Sequence, residues 1–373
     1  MSRRRLVAML VLLTALGRAP VPAACAPFTG PDFSGALDWR LEVGRPAAGR
    51  DLPADLRATR EMLRRQFARL CSEGDSSEIA GVNRLAGNRS GRLTRANYDL
   101  VLRGLAWKDK SQGTVDMLAG PLRRVWGLRW PSRAGSKEES LGCMLADDGR
   151  DTLGWFLESQ GAWPPQRLER AWPTQAERDS ALALTRDGGT YFVDLGVLLR
   201  RPGMEIDLDP LLDGVLVDRG LDSLRARGHA GQRLRVGGVR RDDGQGPAWE
   251  LPLLHPLDGR ELGRLALSGR ALATLDLAQW AVMLDDKPVP ALVDPRDGAL
   301  AQRVAAVWVL APTGEQARAW SIALALLGGE EGLALLAAQP GVEGALLLSG
   351  EGGPTWQASP GFPLADPIAQ QGR

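Results

Sequence analysis

Met204 to Asp218, reading MEIDLDPLLDGVLVD, is the stretch whose reading decides the fold. Ile206 and Leu208 alternate as a short apolar strand, Asp209-Pro210 makes a turn, and Leu211, Val215 and Leu216 recur at helical spacing. Asp209 suits the N-cap, because its carboxylate can accept from N–H groups left free in the first turn, and Pro210 suits N1, where a missing N–H costs nothing. A strand that turns into a helix N-terminus gathers several N–H groups and the positive end of the helix dipole, the chemistry of a phosphate cradle. Here the cradle carries two carboxylates, Asp209 and Asp213. They repel a phosphate unless a cation or a basic side chain lies between them.

The same stretch resembles the strand-turn-helix of the FAD:protein FMN transferases, the ApbE family, whose pattern there is roughly D-L-G-G-I-A-K-G-Y-A-V-D. Asp207, Leu208, Gly214, Val217 and Asp218 match, while the two glycines of the pattern fall on Asp209 and Pro210 and its lysine on Asp213. Further motifs follow in order on either side. Cys71 to Asn83 resembles S-x-x-x-x-x-S-E-[IL]-x-x-x-N, with Ser77, Glu78, Ile79 and Asn83 in register. Gly113 to Leu128 resembles G-x-F-D-x-x-x-x-P-L-x-x-x-W-G-F, keeping Asp116, Pro121, Trp126 and Gly127. Gly237-Gly238 stands at the family's G-G-D turn, with Val239 at its aspartate, and Ala273-Thr274 at A-T-S-G, with Leu275 and Asp276 at its serine and glycine. Ala291 to Gly298 resembles H-I-[IL]-D-P-[RK]-T-G, keeping Asp294, Pro295, Arg296 and Gly298 but carrying Ala291 at the histidine.

The resemblance implies an α+β fold, a mixed sheet flanked by helices in a two-lobed, T-fold-like arrangement, with a flavin pocket between the lobes. By the same resemblance Ser77, Glu78, Asp116, Gly237, Gly238, Thr274, Asp294 and Arg318 are the cofactor-binding candidates. FAD is the implied cofactor, and the family's reaction splits it with Mg²⁺ and moves FMN onto a threonine of a client protein. Magnesium demands hard oxygen ligands. The family's ligands include the aspartate and threonine of its A-D-A-L-[AS]-T helix, positions that fall on Arg318 and Ile322. Neither side chain ligates a metal, so Mg²⁺ is not expected. The exchange of lysine for Asp213 and of aspartate for Arg318 reverses two signs in one pocket, which predicts that Arg318 pairs with Asp213 or Asp209. The reading is a degenerate flavin-binding or scaffold protein. The alternative is an active transferase with non-standard ligands, for which Asp209, Asp213 and Asp276 are the carboxylates on hand and Asp213 and Asp276 the catalytic candidates.

Basic residues number 46 against 45 acidic, so the charge balance points to neither nucleic acid nor an anionic surface. A hydrophobic fraction of 44% over 373 residues allows a substantial core. Arg3-Arg4-Arg5 followed by an apolar run from Leu6 to Leu16 reads as an export signal, residues 1–26, too short to span a bilayer. Ala24-Cys25-Ala26 offers a simple cleavage site and Ala23-Ala24-Cys25 a lipobox, so the expected location is the periplasm or cell envelope, with membrane contact only through a lipid on Cys25. The expected partners are a flavin nucleotide and a membrane or periplasmic client protein. Cys71 and Cys143 remain after export, with no spacing rule that pairs them. Two histidines, His229 and His255, are too few for a His-built zinc site. His255 reads as a surface residue.

Residues 27–36 read as a linker, 37–350 as the domain, 131–173 as an inserted excursion rich in Gly, Ser, Pro and Trp, and 351–373 as a Pro/Gly-rich tail. Within the domain, amphipathic helices are expected from Ala54 to Leu70, from Thr94 to about Lys110 and from Gln316 to Leu327, with strands at Leu37–Val43, Tyr191–Leu195, Glu205–Leu208, Arg233–Val236, Trp249–Leu254, Val304–Leu310 and Gly344–Ser349.

Overall fold

The computed structural model describes residues 39–128 and 172–364, apart from 73, 75, 187–188, 257–258, 278–280, 285–286, 302–303 and 350–352, together with short strands at 28–30 and 166–167. The export segment, Cys25, Cys143, Trp155, Trp163 and most of the 131–173 excursion lie outside these residues. The first part runs β1 (Phe28–Gly30), β2 (Trp39–Arg45), α1 (Leu52–Leu70), α2 (Glu78–Arg84), β3 (Gly91–Arg92), α3 (Arg95–Lys110) and α4 (Gly120–Val125). Next come β4 (Gln166–Arg167), α5 (Gln175–Arg186), β5 (Thr190–Val193), β6 (Gly196–Leu199), a 3₁₀ turn (Asp209–Leu211) and α6 (Leu212–Arg225). The chain continues through β7 (Ala230–Val236), β8 (Val239–Asp242), β9 (Trp249–Leu254), β10 (Glu261–Leu267), β11 (Ala271–Asp276), β12 (Ala281–Leu284) and β13 (Lys287–Pro290). It closes with β14 (Val304–Ala311), α7 (Gly314–Leu327), α8 (Gly329–Ala337), β15 (Glu343–Leu348) and β16 (Thr355–Ala358).

Eight strands form the main sheet in the order β1-β2-β7-β8-β11-β14-β15-β16, every neighbouring pair antiparallel. The α+β class and the helix-flanked sheet read from the sequence are what the structure shows. The run VAAVWVLA of β14 is buried along its whole length because both faces of the sheet are covered there. Val307, Val309 and Ala311 face the core shared with α1, α6 and α7. Ala306, Trp308 and Leu310 face a second core made with the β9–β10 hairpin, Trp356 and Phe362. Period-two alternation on a central strand thus divides the molecule's apolar interior in two.

Three expectations change. Residues 204–208, all buried but Glu205, form no strand. Their backbone partners are not a ladder: the Asn83 side chain donates to the Ile206 carbonyl and accepts from the Ile206 N–H, both at 2.8 Å, and Asp207 N–H donates to the Met117 carbonyl at 2.7 Å. The stretch read as a tail from 351 supplies β16, whose Trp356 is buried against Trp308 with ring centroids 5.4 Å apart. His255 is buried, not on the surface. Of the excursion's tryptophans, Trp172 is described; it packs edge-on against Trp126 at 5.5 Å beside a small third cluster built from Leu122, Trp126, Ala181 and Leu182.

Candidate functional site

The 3₁₀ turn and the first turn of α6 form the floor of the site, and three flanking segments fix them. Asp209 does not cap the helix it precedes. Both its oxygens turn outward to Ser72, accepting from the Ser72 N–H and hydroxyl at 2.7 Å each. Its own N–H donates to Asp207 Oδ1 at 3.0 Å. The Ser72 loop is in turn shaped by Ser77, which caps α2 by accepting from Ala80 N–H at 3.1 Å and donates to the Cys71 carbonyl at 2.5 Å. Glu78 accepts from the Thr94 N–H at 2.8 Å and from Asn97 at 3.0 Å, joining α2 to the start of α3. Ser77 thus shapes the loop whose Ser72 engages the central turn, and Glu78 joins α2 to α3. The buried Cys71 thiol donates to the Ala68 carbonyl at 3.4 Å.

Asp213 lies in the first turn of α6, and Arg318 reaches it from α7. Arg318 Nε is 3.2 Å from Asp213 Oδ1, with the two side chains 0% and 1% exposed, and the same nitrogen donates to the Pro210 carbonyl at 2.9 Å. The helices can come this close because both contact positions are glycine. A Cβ on Gly214 would lie 2.3 Å from the Gly314 carbonyl oxygen. Burial pushes the Asp213 carboxyl above the usual carboxylate range, while the Arg318 charge and the N–H groups of Gly214 and Gly238 oppose that shift. Burial lowers Arg318 in turn, and Asp213 opposes it. A guanidinium starts so far above neutrality that it stays cationic, and the pair stands as a buried ion pair.

The β7–β8 turn closes one side of this pair. Gly237 has φ 53°, and Gly238 accepts at its carbonyl from Thr274 N–H at 2.8 Å. A Cβ on Gly238 would stand 2.4 Å from the Thr274 carbonyl and 3.8 Å from Arg318 Nη1, so only a glycine lets the turn pass here. Gly237, Gly238, Asp213, Arg318 and the backbone of Thr274 are thus brought together at one place, while the Thr274 side chain points to the other face of the sheet. Asp276 is not brought to Asp213. Ala271, Ala273 and Leu275 face the helices, so by alternation Thr274 and Asp276 project from the opposite face of β11.

A second group surrounds Asp116. Lys108 Nζ lies 2.7 Å from Asp116 Oδ2, and the Leu118 N–H donates to Oδ1 at 2.8 Å, so the buried carboxylate is held by one cation and one amide. Asp294 takes the Arg296 guanidinium at 2.7 Å in a turn closed by Gly298, whose carbonyl accepts from Trp126 Nε1 at 2.8 Å. Sequence reading passed over Lys108 and Arg123. Arg123 Nη1 is 2.6 Å from Asp207 Oδ2. Neither could be found without the fold, because each is one of two basic residues at the end of its helix (Lys108 with Lys110, Arg123 with Arg124) until the topology sets it beside a carboxylate. His229, weighed in the sequence only as one of two histidines, is buried: it links Asp55 (3.0 Å) to the Ala47 N–H (3.1 Å) and ties α1 to β7.

The residues do not fit magnesium at the position the resemblance assigns. Ile322 is an apolar, buried neighbour one turn along α7, and Arg318 places a guanidinium where a carboxylate ligand belongs. Among the described residues no three His, Cys, Asp or Glu side chains gather as a ligand set.

Similarity to relatives and to solved structures extends over most of the chain. The chain is 24% identical over 294 residues to an FAD:protein FMN transferase of Klebsiella pneumoniae (strain 342), covering 77% of this chain and 75% of the relative. It is 24% identical over 280 residues to one of Salmonella typhimurium, covering 72% and 70%. The flavin transferase ApbE of Vibrio cholerae superposes with a TM-score of 0.70 at 19% identity, over 91% of this chain and 99% of that one. The apo flavinyl transferase ApbE of Pseudomonas stutzeri gives 0.71 at 20% identity, over 90% and 95%. The ApbE family model matches residues 38–346, a span that holds the central turn, both glycine contacts and the Arg318 helix, and the chain belongs to the ApbE family.

Proposed function

We propose that this chain is a flavin-nucleotide-binding member of the ApbE family that has given up Mg²⁺-dependent FMN transfer and serves in the cell envelope as a flavin-holding or scaffold protein. One observation carries the reading: the Arg318 guanidinium, fully buried, sits 3.2 Å from Asp213 at the position of a family metal ligand. A fixed cation there supplies positive charge without the open coordination positions through which a metal stabilises a transferring phosphate. The alternative, an active enzyme with substitute ligands, has less support. Both oxygens of Asp209 are engaged by Ser72, Asp213 is engaged by Arg318, and Asp276 projects from the other face of β11. The envelope location rests on the basic start and apolar run of the N-terminus. No helix among the described residues is long and apolar enough to cross a membrane.

Incubating the purified chain with FAD and magnesium, then resolving the nucleotides by chromatography, tests the loss of chemistry. The expected result is no AMP above a protein-free control. Magnesium-dependent release of AMP would overturn the proposal.

A further inference from the structure

Asp213 is held through one oxygen, Oδ1, while its buried Oδ2 has no hydrogen-bond partner. Its Oδ1 accepts from the Gly214 N–H at 2.9 Å and stands 3.2 Å from Arg318 Nε. The donors come from different parts of the fold, α6 and α7, and the glycine turn between β7 and β8 presses in from a third side, with its Gly238 Cβ position 3.8 Å from Arg318 Nη1. A helix-start amide, a buried guanidinium and a glycine turn make a receptor for a planar or tetrahedral oxyanion. In this chain the receptor already holds a carboxylate of its own.

We infer that Asp213 is the resident occupant of an oxyanion subsite, and that the ligand chosen by this chain brings no phosphate to that point. The inference deepens the proposed flavin-binding role and, for its ligand class, rests on it: a flavin recognised through its ring and ribityl chain, with the diphosphate of FAD left outside the subsite. Displacing Asp213 by a ligand phosphate would strand one buried anion to seat another. The subsite itself, as distinct from the flavin reading, predicts that deleting the Asp213 side chain leaves a vacancy shaped and charged for a small anion.

The experiment compares the thermal stability of the full chain with that of Asp213→Ala and Asp213→Gly in chloride, formate, acetate and phosphate at matched ionic strength. Formate or phosphate is expected to raise the melting temperature of both variants by several degrees over chloride, while leaving the parent chain unchanged. The double variant Asp213→Ala/Arg318→Met is expected to lose that response. No anion-specific rise in the single variants, or an equal rise in the double variant, would overturn the subsite. Where a single variant fails to fold in chloride, refolding it from urea in formate against chloride gives the same reading: formate must raise the recovered folded fraction. Riboflavin and FAD affinities, measured separately, are expected to agree within a few-fold in the parent chain; a large preference for FAD would overturn the ligand class and leave the anion-rescue result standing on its own.

Discussion

Arg318 and Asp213 face each other with neither side chain reaching solvent, so each makes the other's charge tolerable. Removing one member of such a pair leaves an uncompensated buried charge, at a cost of about 3–5 kcal/mol. Arg318→Met is therefore expected to lower stability by about that amount, and Arg318→Met/Asp213→Asn to recover a good part of it, because both charges then leave together. Urea denaturation of the three proteins checks this, and a single variant as stable as the parent chain would contradict it. Asp207 carries a different kind of charge. Burial first, then the neighbouring Asp209 and Glu205, push its carboxyl up to about 7 against the opposing pull of Arg123. A folded-state value raised above the ordinary 3.8 means that the folded chain holds the proton more tightly than the unfolded one. The stabilisation from this group is thus full below about 3.8 and is lost as pH rises through about 7. Urea midpoints across that window should fall with rising pH in the parent chain and fall less in Asp207→Asn; equal slopes would contradict the assignment. At this scale the sequence was legible where a sign changed. The Arg318–Asp213 pair could be read from two reversed charges. The engagement of Asp209 by Ser72 and of Asp116 by Lys108 could not, since partners that do not share one helix or strand carry no periodic signal.

Among elements, α6 and α7 depend on the Gly214–Gly314 contact for the closeness that lets Arg318 reach the first turn of its neighbour. A methyl group on Gly214 would meet a backbone carbonyl at 2.3 Å, which cannot swing aside as a side chain can. Gly214→Ala is expected to destabilise by about 1–3 kcal/mol or to shift α7 outward, overpacking that a chemical denaturation curve reads directly. Asp218 reinforces the same junction by accepting from the Gly314 N–H at 2.7 Å and the Glu315 N–H at 3.0 Å at the start of α7. Helices were the most legible elements. The expected Ala54–Leu70 and Gln316–Leu327 are observed as Leu52–Leu70 and Gly314–Leu327, because apolar periodicity reports a buried face regardless of the neighbour that buries it. The decisive stretch was half legible. Its helix is present, but alternation at Ile206 and Leu208 signals burial on one side, which an extended segment pinned by the Asn83 side chain satisfies as well as a strand does.

Across the whole molecule, one antiparallel sheet carries helices on one face and the β9–β10 hairpin on the other, and the candidate site sits where α6 and α7 meet the helical face. The family order of motifs made this architecture legible before any contact was known. The last strand was not, because Thr355–Ala358 is short and set among glycines and prolines, and only the burial of Trp356 against Trp308 shows why it joins the sheet. The central claim is that a fixed guanidinium holds the place of a metal in a pocket that still receives flavin. Titrating the purified chain with FAD, following flavin fluorescence with and without magnesium, tests it most directly. The account predicts saturable binding with a dissociation constant that magnesium does not change. Binding that requires magnesium, or no flavin binding at all, would contradict it.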